Sequence, residues 1–210
     1  MNWLQFLAQN RAEILELTLE HLWLVGISTV IAAIVGIPLG VMIARWPKFN
    51  RPVLAAANIV QTIPSLALFG FLLPVPWLGD RAERLAILAL TLYALLPLIR
   101  NTYTGIRGVD PAVVEAGRAM GLTERQLLWQ VQLPLASSVI LSGLRVAVVI
   151  SVGLATIAAA IGAGGLGELI FRGLAMVNNQ LILAGAIPAA LLALVADFFL
   201  GRLEARLRPQ

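Results

Sequence analysis

Residues 107–134 read RGVDPAVVEAGRAMGLTERQLLWQVQLP. This is the longest polar-bearing segment, and strongly apolar stretches flank it. Asp110 followed by Pro111 predicts a helix start. The aspartate supplies a capping oxygen, and the missing proline N–H costs nothing in a first turn. The helix can run to Met120, and Gly121 suits a left-handed stop. Thr123 with Gln126 three residues on is a capping box, so a second helix begins there. Pro134 marks a fresh start. The segment is thus expected to form two short helices hinged at a glycine, a compact platform on one membrane face.

The chain of 210 residues is 60% hydrophobic and only 12% charged, against roughly 25% charged in soluble domains. Its mean hydropathy is +0.90. Several stretches approach the ~20 apolar residues that cross a bilayer. The sequence therefore predicts an all-α integral membrane protein, a single transmembrane domain over 1–210. The net charge of +4 reads as a topology signal before a nucleic-acid one. There is no cysteine, so no thiolate or disulfide chemistry. His21 is the one histidine, which excludes a His-pair zinc motif. The one lysine, Lys48, precedes Phe49, so no Walker A loop exists.

Residues 1–20 predict an amphipathic helix against lipid, with Leu7, Leu15 and Leu19 on one side and Gln9, Glu13, Glu16 and Glu20 on the other. Five spans follow. The first runs from about Leu22 to Ala44, with Ala32, Gly36, Gly40 and Ala44 on one packing face. The second covers about Val53 to Leu73. Its polar middle, Gln61 to Ser65, either bonds neighbouring helices or lines a pathway. The third starts near Leu85. The stretch to Ile99 is roughly 22 Å, short of the ~30 Å core, so the helix is expected to continue to about Ile106. That puts Arg100, Asn101 and Thr102 inside the membrane boundary. With Thr62 and Ser65 they are the candidate pathway-lining residues.

The fourth span is about Leu135 to Ile161, and the fifth about Leu181 to Leu200. Between them Gly162 to Gly167 reads as a backbone turn at the outer surface, followed by a short helix from Glu168. Arg145 and Asp197 are charges within spans. Each is costly alone, so the two are expected to pair. With the central platform inside, the inner side carries Arg45, Lys48, Arg51, Arg100, Arg107, Arg118, Arg125, Arg202, Arg206 and Arg208. The outer side carries Arg11, Arg81, Arg84 and Arg172. The positive-inside rule favours this orientation, with the N-terminus outside and the C-terminus cytoplasmic.

Glu115-Ala116-Gly117, Gly121 and Val131-Gln132-Leu133-Pro134 match the spacing of a known pattern. They resemble the EAA loop of ABC-importer permeases, with Gly117 for the second alanine and Val131 for isoleucine. Segments such as NIVQTIPSLALFG and IGAGGLGELIFRG resemble the osmoprotectant permeases, for glycine betaine, carnitine and choline. The likeness runs from about Leu22 to Arg206. It implies a type I importer permease fold of five transmembrane helices in a bacterial inner membrane. The loop would be a cytoplasmic coupling helix docking on an ATPase through Glu115, Ala116, Gly117, Gly121, Leu133 and Pro134.

The resemblance further implies two cytoplasmic ABC ATPase subunits, a second permease copy or a sister, and an extracytoplasmic substrate-binding protein. ATP and Mg would sit on the ATPase, with no cofactor, metal or catalytic residue on this chain. A methionine or other amino-acid permease is the alternative within the class. An ion-coupled secondary transporter is the alternative outside it, but Asp197 is the only acid deep in a span and no repeat is visible. A DNA-reading helix-turn-helix fits poorly in so apolar a chain.

Overall fold

The computed structural model describes residues 3–79 and 81–207. All regular elements among the described residues are helical. In chain order they are α1 (Trp3–Gln9), α2 (Arg11–Arg45), α3 (Asn50–Thr62), α4 (Ser65–Leu72), α5 (Ala82–Arg107), α6 (Pro111–Ala119), α7 (Glu124–Leu127), α8 (Leu133–Ala158), α9 (Gly167–Ala175) and α10 (Asn179–Leu207). Among the described residues four long helices are apolar enough to cross a membrane, and the bent pair α3–α4, taken as one span, brings the number to five.

The central helix is α5, packed between α2 and α8. Leu85, Leu90, Leu98 and Ile99 of α5 are fully buried. Close approach explains the α2 stripe: Ala32, Gly36, Gly40 and Ala44 are all buried. A Cβ on Gly40 would stand 2.5 Å from Thr102 Cβ, so only glycine lets the two backbones meet there.

Two expectations are corrected, for the N-terminal helix and for Pro134. The N-terminal segment does not form one helix ending at Glu20. It breaks at Asn10, and Arg11 then begins a single 35-residue helix. Glu13 and Glu20, on the face expected to be polar, also bind α9 and the glycine turn while staying partly exposed. Glu13 Oε1 accepts from Arg172 Nη2 at 2.7 Å, and Glu20 Oε2 from the Gly165 N–H at 2.9 Å.

The second span is sharply bent at its polar middle: α3 and α4 meet at 98°. Ile63 precedes Pro64 and is driven to an extended ψ of 126°. The Tyr93 hydroxyl donates to the Ile63 carbonyl, and Gln61 Nε2 donates to the Tyr93 carbonyl at 2.8 Å. The bend is thus pinned to α5.

Pro134 does not begin a separate helix. Leu128–Gln132 forms a π turn that joins α7 to α8, so Glu124–Ile161 is one continuous element. The Leu133 N–H bonds the Leu128 carbonyl, five residues back. A wider turn accommodates a proline ring that an α-turn would press against the carbonyl four residues earlier.

Candidate functional site: the platform between α5 and α8

The platform is built from local signals. Asp110 Oδ1 accepts from the Ala112 N–H at 2.8 Å and starts α6 with Pro111 in its first turn. At the far end, the Leu122 N–H bonds the Gly117 carbonyl at 3.1 Å, and the Gly121 N–H bonds that of Arg118 at 2.9 Å. This is a Schellman stop, and Gly121 takes φ +86°. The capping box closes α7: Gln126 Oε1 accepts from the Thr123 N–H at 2.9 Å, and Thr123 Oγ1 from the Gln126 N–H at 3.3 Å.

Arg118 Nε reaches Glu124 Oε1 at 2.9 Å across the turn. That hydrogen bond and charge raise the Arg118 pKa above its ordinary value.

The platform is anchored from below. Leu127 and Leu128 are buried. Leu128 packs with Ala44 of α2, Ile106 of α5 and Ala136 of α8. A displacement of the platform is therefore felt at three spans, and α8 continues it directly. A cleft of about 600 Å³ separates it from the ends of α2 and α5; Arg45, Arg107, Glu115 and Glu124 line it.

Glu115 and Ala116 are exposed, and Leu133 and Pro134 stand at the start of α8. Gly117 faces inward: a Cβ there would lie 2.6 Å from Leu127 Cδ1. Its smallness serves the α6–α7 contact, not an outer surface. Sequence reasoning missed Val113 and Met120, exposed at 42% and 76% on the platform. Their helical spacing with Ala116 was the available signal.

The candidate pathway residues do not share one face. Thr62 is exposed and its hydroxyl donates to Ile59 O at 2.7 Å. Ser65 is half-buried. Arg100 is exposed, with Nη2 3.3 Å from Asn58 Oδ1. Asn101 is half-buried and donates to Pro97 O at 2.9 Å. Thr102 is fully buried against Gly40 and lies on no exposed face. Arg145 and Asp197 do pair, through Nε–Oδ1 at 2.6 Å and Nη2–Oδ2 at 2.7 Å. Glu204 Oε2, which sequence reasoning left out, lies 3.4 Å from Arg145 Nη1.

The chain is similar to several transport proteins. A glycine betaine/carnitine/choline transport system permease, OpuCD of Bacillus subtilis (strain 168), is 47% identical, covering 97% of this chain and 88% of the relative. A carnitine transport permease, OpuCB of Listeria monocytogenes, is 43% identical, covering 98% and 93%. An osmoprotectant import permease, OsmW of Salmonella typhimurium, is 42% identical, covering 100% and 99%. In three dimensions the chain superposes on an inward-facing MetNI methionine ABC transporter chain with TM-score 0.82 at 24% identity, covering 90% and 94%. It superposes on an amino acid ABC transporter chain with TM-score 0.71 at 19% identity, covering 98% and 99%. These two likenesses concern the fold, that of type I ABC-importer permeases.

A family model matches residues 36–209. With the long apolar helices and the platform, it makes this a multi-pass inner-membrane protein. The chain belongs to the binding-protein-dependent transport system inner membrane components.

Proposed function

We propose that this chain is the permease subunit of an ATP-driven importer for a small betaine-type or quaternary-ammonium osmoprotectant. A separate binding protein delivers the solute from outside. Two ATPase subunits carry ATP and Mg and dock on the platforms of two permeases, either identical copies or a copy and a sister. The observation that carries the substrate class is the high identity, along nearly the whole chain, to permeases named for glycine betaine, carnitine and choline.

The mechanism follows from the continuous element Glu124–Ile161. Closure of the ATPase dimer pushes the two platforms together. Because α7 passes into α8 without a break, the push tilts a span rather than a loop. The Leu128 contact with α2 and α5 spreads it to their inner ends. The path then opens outward, and ATP hydrolysis resets it. Nucleotide shifts this equilibrium only by its differential affinity for the two states.

Charge distribution supports a cytoplasmic platform, with the N-terminus outside and the C-terminus inside. The ends of α2 and α5, with Arg45 and Arg107, share the platform's cleft. The start of α2 instead meets α9 at the opposite end. The amino-acid alternative draws on neighbours at 24% identity or less, which share the fold. The ion-coupled alternative needs an acid that gains and loses protons, and Asp197 is held by Arg145.

The test is to purify the chain with its native partners and titrate the co-purifying binding protein by calorimetry. A betaine or quaternary-ammonium ligand is expected. A binding protein that takes methionine alone would favour the amino-acid reading, and a functional complex without any ATPase would remove the ABC reading.

A further inference from the structure

The Arg145–Asp197 pair does more than neutralise two charges. At about 1.5 Å per residue, Arg145 lies roughly 15 Å past the expected start of its span at Leu135, and Asp197 roughly 5 Å before the expected end of its span at Leu200. Both fall in the inner half of a ~30 Å core. Yet their side chains are 35% and 43% exposed. Charges at that depth face protein or a water-filled path, not acyl chains.

The pair is flanked by two clefts, of about 730 Å³ and about 290 Å³, and both residues line both. Three kinds of group meet in the larger one. The Arg145 guanidinium can take a carboxylate through two parallel bonds. Asp197 offers negative charge, with Glu204 next to the guanidinium. The Phe198 ring accepts a cation: the Arg202 guanidinium sits 4.4 Å from its centroid. Gly201 keeps the approach open, since a Cβ there would stand 3.0 Å from Arg145 Nη1.

We propose that this cleft is a transient binding station for a zwitterionic solute on the transport path. The solute's carboxylate takes the place of Asp197 on Arg145. Its quaternary ammonium lies between Asp197 and the Phe198 ring, in place of Arg202. This exchange of partners leaves no charge bare in the core while solute passes. The proposal rests on the betaine reading above and adds the residues that would hold the solute.

The experiment uses the full importer, with binding protein, in proteoliposomes. Uptake of glycine betaine, which has a carboxylate, is compared with that of choline, which has none. In Arg145→Gln/Asp197→Asn, the ratio of glycine betaine to choline uptake is expected to fall about tenfold or more. The charge-swapped Arg145→Asp/Asp197→Arg, which keeps a pair, is not expected to restore it. Phe198→Leu leaves both charges paired and is expected to slow both solutes about threefold or more. An unchanged ratio in the neutral double variant, full recovery by the swap, or an unaffected Phe198→Leu would each overturn the station. Wild-type importer that takes up neither of these solutes nor carnitine would remove the betaine reading itself, and the station with it.

Discussion

Gly117 of α6 lies directly against Leu127: a Cβ at 117 would stand 2.6 Å from Leu127 Cδ1. Leu127 is fully buried, so this contact sets how closely the two platform helices pack. Gly117→Ala gains helix propensity of about 1 kcal/mol, and the leucine methyl group can swing aside. The expected net change is near zero. Gly117→Leu cannot be absorbed that way and is expected to cost about 1–3 kcal/mol by overpacking. Thermal melting of the detergent-solubilised complex separates the two; equal stability of both variants would contradict the packing assignment.

Gly121 has open space around its Cβ position, so its constraint is purely φ +86°. A β-branched side chain in that region costs on the order of 1 kcal/mol or more. Gly121→Val is expected to leave the chain inserted but weaken ATPase co-purification and transport, with Gly121→Asn much milder. Glu115→Lys, on the exposed cleft rim, should weaken association without changing stability. Normal substrate-stimulated ATP hydrolysis in both Gly121→Val and Glu115→Lys would dismiss the platform as the docking surface.

The 98° bend between α3 and α4 depends on the Tyr93 hydroxyl at the Ile63 carbonyl. Tyr93→Phe leaves that half-buried carbonyl without its donor, at a cost of about 1–3 kcal/mol. A fall of several degrees in melting temperature is expected, and an unchanged value would mean that Pro64 alone holds the bend.

Topology is testable because the native chain has no cysteine. Val177 is 87% exposed after α9 and Met120 is 76% exposed on the platform. An impermeant thiol reagent applied to spheroplasts is expected to label Val177→Cys and spare Met120→Cys. The reverse pattern would put the platform on the wrong side.

What was legible in the sequence was local or costly. Asp110-Pro111, Gly121 and Thr123–Gln126 are read from a few neighbouring residues, and each cap forms as expected. Arg145 and Asp197 could be paired 52 residues apart because a lone charge in a span is so unfavourable. Other features needed the fold. Pro64 announces a disturbance, but its size depends on Tyr93 of α5. Glu20 lies on the face expected to be polar, but its partner, the Gly165 N–H, is 145 residues away. Thr102 looked polar enough to line a path, yet it fills the notch above Gly40. The π turn before Pro134 hid the continuity of α7 with α8.

The central claim is that this chain carries a betaine-type solute under ATP control. The most direct measurement is uptake of labelled glycine betaine, carnitine, choline and methionine by vesicles holding the full complex, with and without ATP inside. The account predicts ATP-dependent accumulation of at least one quaternary-ammonium solute and none of methionine. ATP-dependent uptake of methionine alone, or accumulation driven by an ion gradient without the ATPase, would contradict it.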